Sequence, residues 1–394
     1  MTGDRDFVDK RAIAALSSGH LATDFANGAL PALLPFLVER FDLSYTLAAA
    51  LMLASAASSS IVQPVFGLWS DRRGAFWLLP TGVAVAGLGI AAAADAPSYP
   101  LVALLVVLSG LGVAAYHPEG SKFAAYVSGR RRASGMSLFS IGGNLGYALG
   151  PILATPVVLA LGLRGGWLLA LPGVAVAALL VVAAPYLKSF TPTGSASRRE
   201  GEDRPRAMAL LLGVVAFRSV TWFALVTFVP LWEVSLGHSK AYGNHLLSLM
   251  LLAGGVGTLV AGPVADRIGR RPVLVASVAV LAPLALVYVA VGGVVGAAAL
   301  ALVGVCVIGT FGVTMVMSQE YLPRHVGMAS GLSIGLSIGL GGVAAVALGA
   351  VADAVDLRTA MYVAAAAAFP GLVLALALPP TRRRRALAPE PVVP

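Results

Sequence analysis

Stretches of about twenty or more residues without a single Asp, Glu, Lys, Arg or His recur along the whole chain, and that recurrence constrains the fold more than any other feature. Such runs cover 43–70, 75–94, 96–116, 133–163, 165–187, 246–265, 326–352 and 359–381. A longer one, 272–319, has room for two crossings with a turn near Gly292, and 11–38 and 207–236 are apolar but interrupted by charge. A bilayer crossing takes about 20 apolar residues. Backbone in lipid must satisfy its own hydrogen bonds, so each run reads as a helix. The expectation is an all-α membrane protein with 12 transmembrane helices in two six-helix halves. Only 11% of the 394 residues are charged, whereas a soluble domain carries roughly 25%. Soluble multidomain architectures are thereby excluded.

The formal charge of +9 would suggest nucleic acid in a soluble protein, but topology accounts for it. With both termini cytoplasmic, inside segments hold Arg72, Arg73, Arg130, Arg131, Arg132, Arg198, Arg199, Arg267, Arg270, Arg271 and the arginines at 382–385. The outside loops hold only Arg40, Arg164, Lys240 and Arg358. That asymmetry follows the positive-inside rule and leaves no call for a nucleic-acid partner. His20 and Asp24 interrupt the first apolar stretch, which argues against a cleaved signal peptide. The single cysteine, Cys306, rules out an intramolecular disulfide, a Cys-rich zinc site and an iron–sulfur cluster.

The chain repeats itself. Gly67-Leu-Trp-Ser-Asp71-Arg72-Arg-Gly74 returns as Gly262-Pro-Val-Ala-Asp266-Arg267-Ile-Gly269, and Ala133-Ser-Gly-Met-Ser137 returns as Ala329-Ser-Gly-Leu-Ser333. Both matches fall half a chain length apart, as a parallel duplication of six helices requires. The expected division is a first bundle over 1–190, a cytoplasmic linker over 191–206, a second bundle over 207–381 and a basic tail over 382–394. The linker is polar, charged and rich in turn formers.

These features are similar to the major facilitator superfamily of secondary transporters. The loop after the second helix resembles its G-x-x-x-D-R-x-G signature, with Ala75 and Phe76 in place of the usual basic pair. By that resemblance Asp71, Arg72, Asp266 and Arg267 form a conformational clamp, an Asp at a helix end beside Arg. A narrower resemblance rests on Ser18-Gly-His20-x-x-x-Asp24, Gln63-Pro-Val-Phe-Gly67, Tyr116-His117-Pro118-Glu119-Gly-Ser-Lys122 and Gly142-Gly-Asn144-Leu-Gly146-x-x-x-Gly150-Pro151. These look like fosmidomycin-resistance-type drug exporters. The likeness implies proton-coupled export across a bacterial inner membrane, with helices 1, 4, 7 and 10 around a central cavity.

Ionisable groups at membrane depth cost roughly 2.5–3.5 kcal/mol each on insertion scales, so each is a functional candidate. Away from helix ends they are His20 and Asp24 in helix 1, His117, Glu119 and Lys122 in helix 4, Arg218 in helix 7 and Glu320 in helix 10. Asp24, His20, Glu119 and His117 are the proton-coupling candidates, because an imidazole beside a carboxylate can hold or relay a proton. Arg218, Lys122 and Asn144 are the substrate-binding candidates. An empty Arg218 is expected to pair with Asp24 or Glu119, and Glu320 with Arg324. Pro118 removes a backbone donor, so helix 4 is expected to open locally. Glycines 142, 146 and 150 allow another backbone to approach closely.

The leading function is therefore a proton-coupled exporter of small drug-like or anionic compounds such as fosmidomycin. The alternative is a proton-coupled symporter importing a sugar or carboxylate. No HExxH or GxSxG occurs, and no enzyme, cofactor or metal is expected. The partners are a small-molecule substrate, protons and membrane lipid, around a monomer.

Overall fold

The computed structural model describes residues 7–73, 75–129, 131–190 and 202–379. Among them twelve helices are long and apolar enough to cross a membrane. They are α1 (Lys10–Phe41), α2 (Tyr45–Ser70), α3 (Leu78–Asp95), α4 (Tyr99–Val127), α5 (Ser134–Leu161), α6 (Leu163–Lys188), α7 (Pro205–Ser235), α8 (Lys240–Ile268), α9 (Arg270–Val291), α10 (Gly293–Tyr321), α11 (Gly331–Ala354) and α12 (Leu357–Leu376). Residues 191–201 of the expected linker and the whole basic tail, 382–394, lie outside the described residues.

Local chemistry sets the ends. Side chains of Asp9, Ser44, Ser239 and Asp356 accept the first free N–H groups of α1, α2, α8 and α12. Gly292 and Gly293 turn the chain between α9 and α10 with φ of 64° and 55°, a region that favours glycine. Pro118 does not open α4, which stays helical from Tyr99 to Val127. The breaks fall elsewhere. α2 is interrupted between Ser60 and Gln63, just before Pro64, and α10 at Thr310.

In the first half α1 is the hub, packed on α3, α4, α5 and α6; in the second, α7 packs on α8, α11 and α12. The α1–α5 seam is a backbone contact. A Cβ at Gly142 would meet the backbone of Ser17, at Gly146 that of Leu21 and at Gly150 that of Gly28. With no hydrophobic driving force between helices in lipid, such close approach is what holds them.

The halves meet along α2–α11 and α5–α8, and their described cross-half hydrogen bonds crowd the side away from the termini. The Asp353 carboxylate of α11 accepts the Tyr45 N–H at 2.7 Å, the Thr46 N–H at 2.9 Å and the Thr46 hydroxyl at 2.5 Å. It thus caps α2 across the interface, where the helix dipole favours an anion. Lys240 pairs with Glu39. Asn244 donates to the Ala32 carbonyl at 3.0 Å and to the Thr155 hydroxyl at 2.8 Å. On the terminal side the seam loosens, and Ile61, Val65 and Leu68 of α2 are exposed.

Gly146→Ala should destabilise the purified protein by about 1–3 kcal/mol through overpacking against α1, read as a lower melting temperature. Gly262→Ala, where a Cβ meets open space, should leave it unchanged. Asp353→Ala should lengthen the distance between spin labels at positions 47 and 355 by freeing the N-terminus of α2.

Candidate functional site

A cavity of about 520 Å³ lies between the halves. α1, α2, α4 and α5 wall it on one side and α7, α8, α10 and α11 on the other; α3, α6, α9 and α12 contribute nothing to the lining. Four of its side chains carry an imidazole or a formal charge: His20, Asp24, His117 and Arg218. The period of three expected for the charged helices survives in α1, α4 and α7. The fourth member, α10, brings Val307, Ile308, Phe311 and Gly312 to the lining.

His20 and Asp24 stand four residues apart on α1, hence on one face, with His20 Nε2 3.2 Å from Asp24 Oδ2. His117 reaches in from α4, with its Nε2 3.4 Å from Asp24 Oδ1 and 3.2 Å from His20 Nε2. Asn27 donates to Asp24 Oδ1 at 3.3 Å. The other nitrogens fix the tautomers. His20 Nδ1 faces the Phe139 carbonyl at 2.8 Å and His117 Nδ1 the Val113 carbonyl at 2.9 Å. A carbonyl only accepts, so each Nδ1 carries a hydrogen. In neutral rings both Nε2 lone pairs would then point at one another and at a carboxylate, three acceptors with no donor. One proton shared among them turns that repulsion into hydrogen bonds. Among the described residues this trio, its ligand atoms within 4.8 Å of one another, is also the group that could hold a small cation.

The supports of the trio come from α5. The Phe139 ring stacks on His20 with centroids 4.2 Å apart. Gly143 leaves the space, because a Cβ there would strike His20 Nε2 and Asp24 Oδ2. Neither residue stood out in the sequence as more than part of an apolar, glycine-rich helix. Asn144 lines the cavity, as do Tyr147, Trp222 and Phe223.

Arg218 faces the same space from α7 and is only 3% exposed. The expected ion pair with Asp24 or Glu119 is not formed. Its guanidinium donates instead to two hydroxyls of α10, Thr310 at 2.8 Å and Thr314 at 3.4 Å, and its Nε has no hydrogen-bond partner. The side-chain rotation of α7 decides this, and spacing along one helix cannot reveal it.

Other expected residues stand elsewhere. Glu119, 1% exposed, and Lys122 do not line the cavity. They pair with each other at 2.7 Å, and the Ser70 hydroxyl bridges them to α2. Asp71 and Arg72 close the second segment of α2, but their side chains lie outside the described residues. In the second copy of the motif Asp266 is 76% exposed and sits 3.6 Å from Arg270. The tight contact there is Arg270 with Glu320 at 2.6 Å, which joins α9 to α10. Arg267 is exposed. One polar cluster escaped notice because its carboxylate sits near the end of an apolar run. Glu233 of α7, buried, accepts from Tyr288 at 2.8 Å and lies 2.6 Å from His238 Nδ1.

The Major Facilitator Superfamily model matches residues 16–334 and 211–394. An MFS-type transporter of Bacillus subtilis, YfnC, is 32% identical over 389 residues, covering 93% of this chain and 92% of that protein. The fosmidomycin resistance protein of Escherichia coli is 29% identical over 391 residues, with coverages of 94% and 93%. Among solved structures, a bacterial homolog of the human lysosomal transporter Spinster superposes with a TM-score of 0.75 at 15% identity, over 93% of this chain and 96% of that one. The nucleoside transporter NupG gives 0.74 at 14% identity, over 93% and 99%. The overall architecture is thus shared with transporters of widely different sequence, and with the matching family model it places this chain: it belongs to the Major Facilitator Superfamily.

Proposed function

We propose that the protein is a proton-coupled exporter of small anionic, drug-like compounds such as fosmidomycin, working by alternating access. One observation carries the reading. Two imidazoles and a carboxylate within 3.4 Å of one another, and an arginine without a carboxylate partner, line a single cavity. Asp24, His20 and His117 take the proton, and Arg218 takes the anion, with Asn144 beside it as a hydrogen-bonding group. Glu119 sits two residues beyond His117 on α4 and joins the proton path when its pairing with Lys122 opens; Lys122 then becomes a second cation for substrate. The export direction draws on the likeness to the E. coli resistance protein.

By the positive-inside rule both termini are cytoplasmic in a bacterial inner membrane, and the protein acts as a monomer without cofactor or enzymatic activity. In that orientation the bonds of Asp353, Lys240 and Asn244 close the periplasmic side, and the cavity belongs to an inward-open state. Asp71, Arg72, Asp266 and Arg267 then clamp the opposite state. Units 1–190 and 207–381 rock about the central site, joined by 191–206 and followed by the tail 382–394.

Charge balance supports a second reading. A protonated trio retains an ionised Asp24 beside an imidazolium, and Arg218 adds one positive charge, so one monoanion neutralises the whole cavity. Proton and anion then bind best together, which is the thermodynamic signature of symport. Flux under an imposed pH gradient in vesicles decides between them. An exporter by exchange accumulates fosmidomycin when the side of the cavity mouth is alkaline and loses it when the gradient is reversed.

Asp24→Asn keeps the size but removes the charge and the exchangeable proton, so gradient-driven transport should fall at least tenfold while the protein remains inserted and monodisperse. Transport that still follows the gradient would exclude the trio as the coupling site. Arg218→Lys loses the planar fork and should weaken phosphonate binding about tenfold, equivalent to 1.4 kcal/mol, measured by thermal shift or calorimetry.

A further inference from the structure

Arg218 is held in an unusual way for a buried cation. Its two terminal nitrogens donate to neutral hydroxyls, those of Thr310 and Thr314, themselves 2% and 3% exposed. The two threonines are four apart on α10 and therefore share a face. Their own hydrogens are already committed. Thr310 donates to the Cys306 carbonyl at 2.6 Å and Thr314 to the Phe311 carbonyl at 2.8 Å. What each hydroxyl offers the guanidinium is thus a lone pair in a fixed direction. The interruption of α10 at Thr310, with φ −92° and ψ 3°, is where this presentation occurs.

Hydroxyls orient a guanidinium without cancelling its charge, whereas a carboxylate would do both. Burying a cation with no counter-charge is costly, and an anion bound in the cavity that Arg218 lines recovers part of that cost. We infer that Thr310 and Thr314 are positioning residues that keep Arg218 aimed at the cavity and fully charged, and that this neutral cradle sets the preference for anionic over uncharged cargo. The inference rests on the anion-transport reading above and extends it to residues that would have no contact with substrate. It places the main determinant of anion preference in the second half of the molecule, across the cavity from the His20, Asp24 and His117 trio.

The test uses full-length purified protein, with fosmidomycin as the anionic probe and its uncharged diethyl phosphonate ester as the neutral one. Thr310→Asp supplies a counter-charge without touching the cavity wall that bears the trio; it should weaken fosmidomycin binding at least tenfold and leave the ester within twofold. Thr310→Val, of nearly the same shape, should weaken fosmidomycin three- to tenfold, and Thr310→Ser should restore it. Thr314→Val, which removes the longer bond, should have a smaller effect of the same sign. A thermal melt on every variant identifies loss of folding, and Thr310→Ser with Thr310→Asp keeps the comparison decisive if the valine variant does not fold. If Thr310→Asp leaves fosmidomycin affinity unchanged while Arg218→Ala abolishes it, the cradle is overturned and the anion site stands. If Arg218→Ala also leaves affinity unchanged, the anion-transport reading fails with it. Equal losses for the charged and uncharged probes would reduce Thr310 to a packing role and overturn the inference.

Discussion

The cost of placing charge in hydrocarbon organises this molecule. Each ionisable side chain at membrane depth needs either water or a partner, and the fold supplies both on a single axis. His20, Asp24, His117 and Arg218 face the cavity, while Glu119 and Lys122 satisfy each other behind it. The helices that contribute nothing to the cavity, α3, α6, α9 and α12, face lipid with valine and leucine, such as Val182 at 79% exposure and Val373 at 68%. Lipid-facing and cavity-facing helices are thus sorted by the same penalty.

A second consequence is that the two sides of the molecule are held by different chemistry. Close backbone packing fastens α1 to α5 through Gly142, Gly146 and Gly150, and it does not depend on water or salt. The bonds between the halves are polar; those of Asp353 on α2 and Lys240 on Glu39 sit where solvent reaches them, and those of Asn244 are buried. Exposed ion pairs are weak, typically under about 1 kcal/mol, and so can be exchanged for others of similar strength. The proposed alternating access requires two arrangements close in free energy, and an interface latched by weak polar bonds is compatible with that requirement.

Much of this was legible in the chain and some was not, for identifiable reasons. Uncharged runs of bilayer length gave the twelve helices, and the spacing of His20 and Asp24 placed two cavity groups on one face because helical periodicity alone fixes that relation. Glycines 142, 146 and 150 announced a close contact, though not that α1 is its partner. Partner choice between helices depends on rotation about each axis, which leaves little trace in sequence. Hence spacing along α7 points Arg218 at carboxylates, whereas hydroxyls of α10 hold it. Glu233 was passed over because charge near a helix end is ordinarily solvated, yet Tyr288 and His238 enclose it. Pro118 was expected to open α4, but a proline costs the helix one hydrogen bond and some bending, which tight neighbours absorb.

The two halves bring different ionisable groups to the cavity. The first keeps groups whose charge can change, the imidazoles and a carboxylate; the second keeps a guanidinium whose charge cannot, at any physiological pH. Separating them across the interface has a mechanical consequence. When the halves rock, the distance between a titrating group and a permanent cation changes, and with it their Coulomb interaction, which is large in a poorly solvated cavity and small once water enters. On the proposed function, proton occupancy on one wall and anion occupancy on the other would bias the same conformational equilibrium. Had both sets sat in one half, rocking would leave their separation unchanged, and movement and charge would be coupled only through solvent. On that reading, the asymmetry that obscures the repeat at the site is what would let a symmetric scaffold couple two ligands.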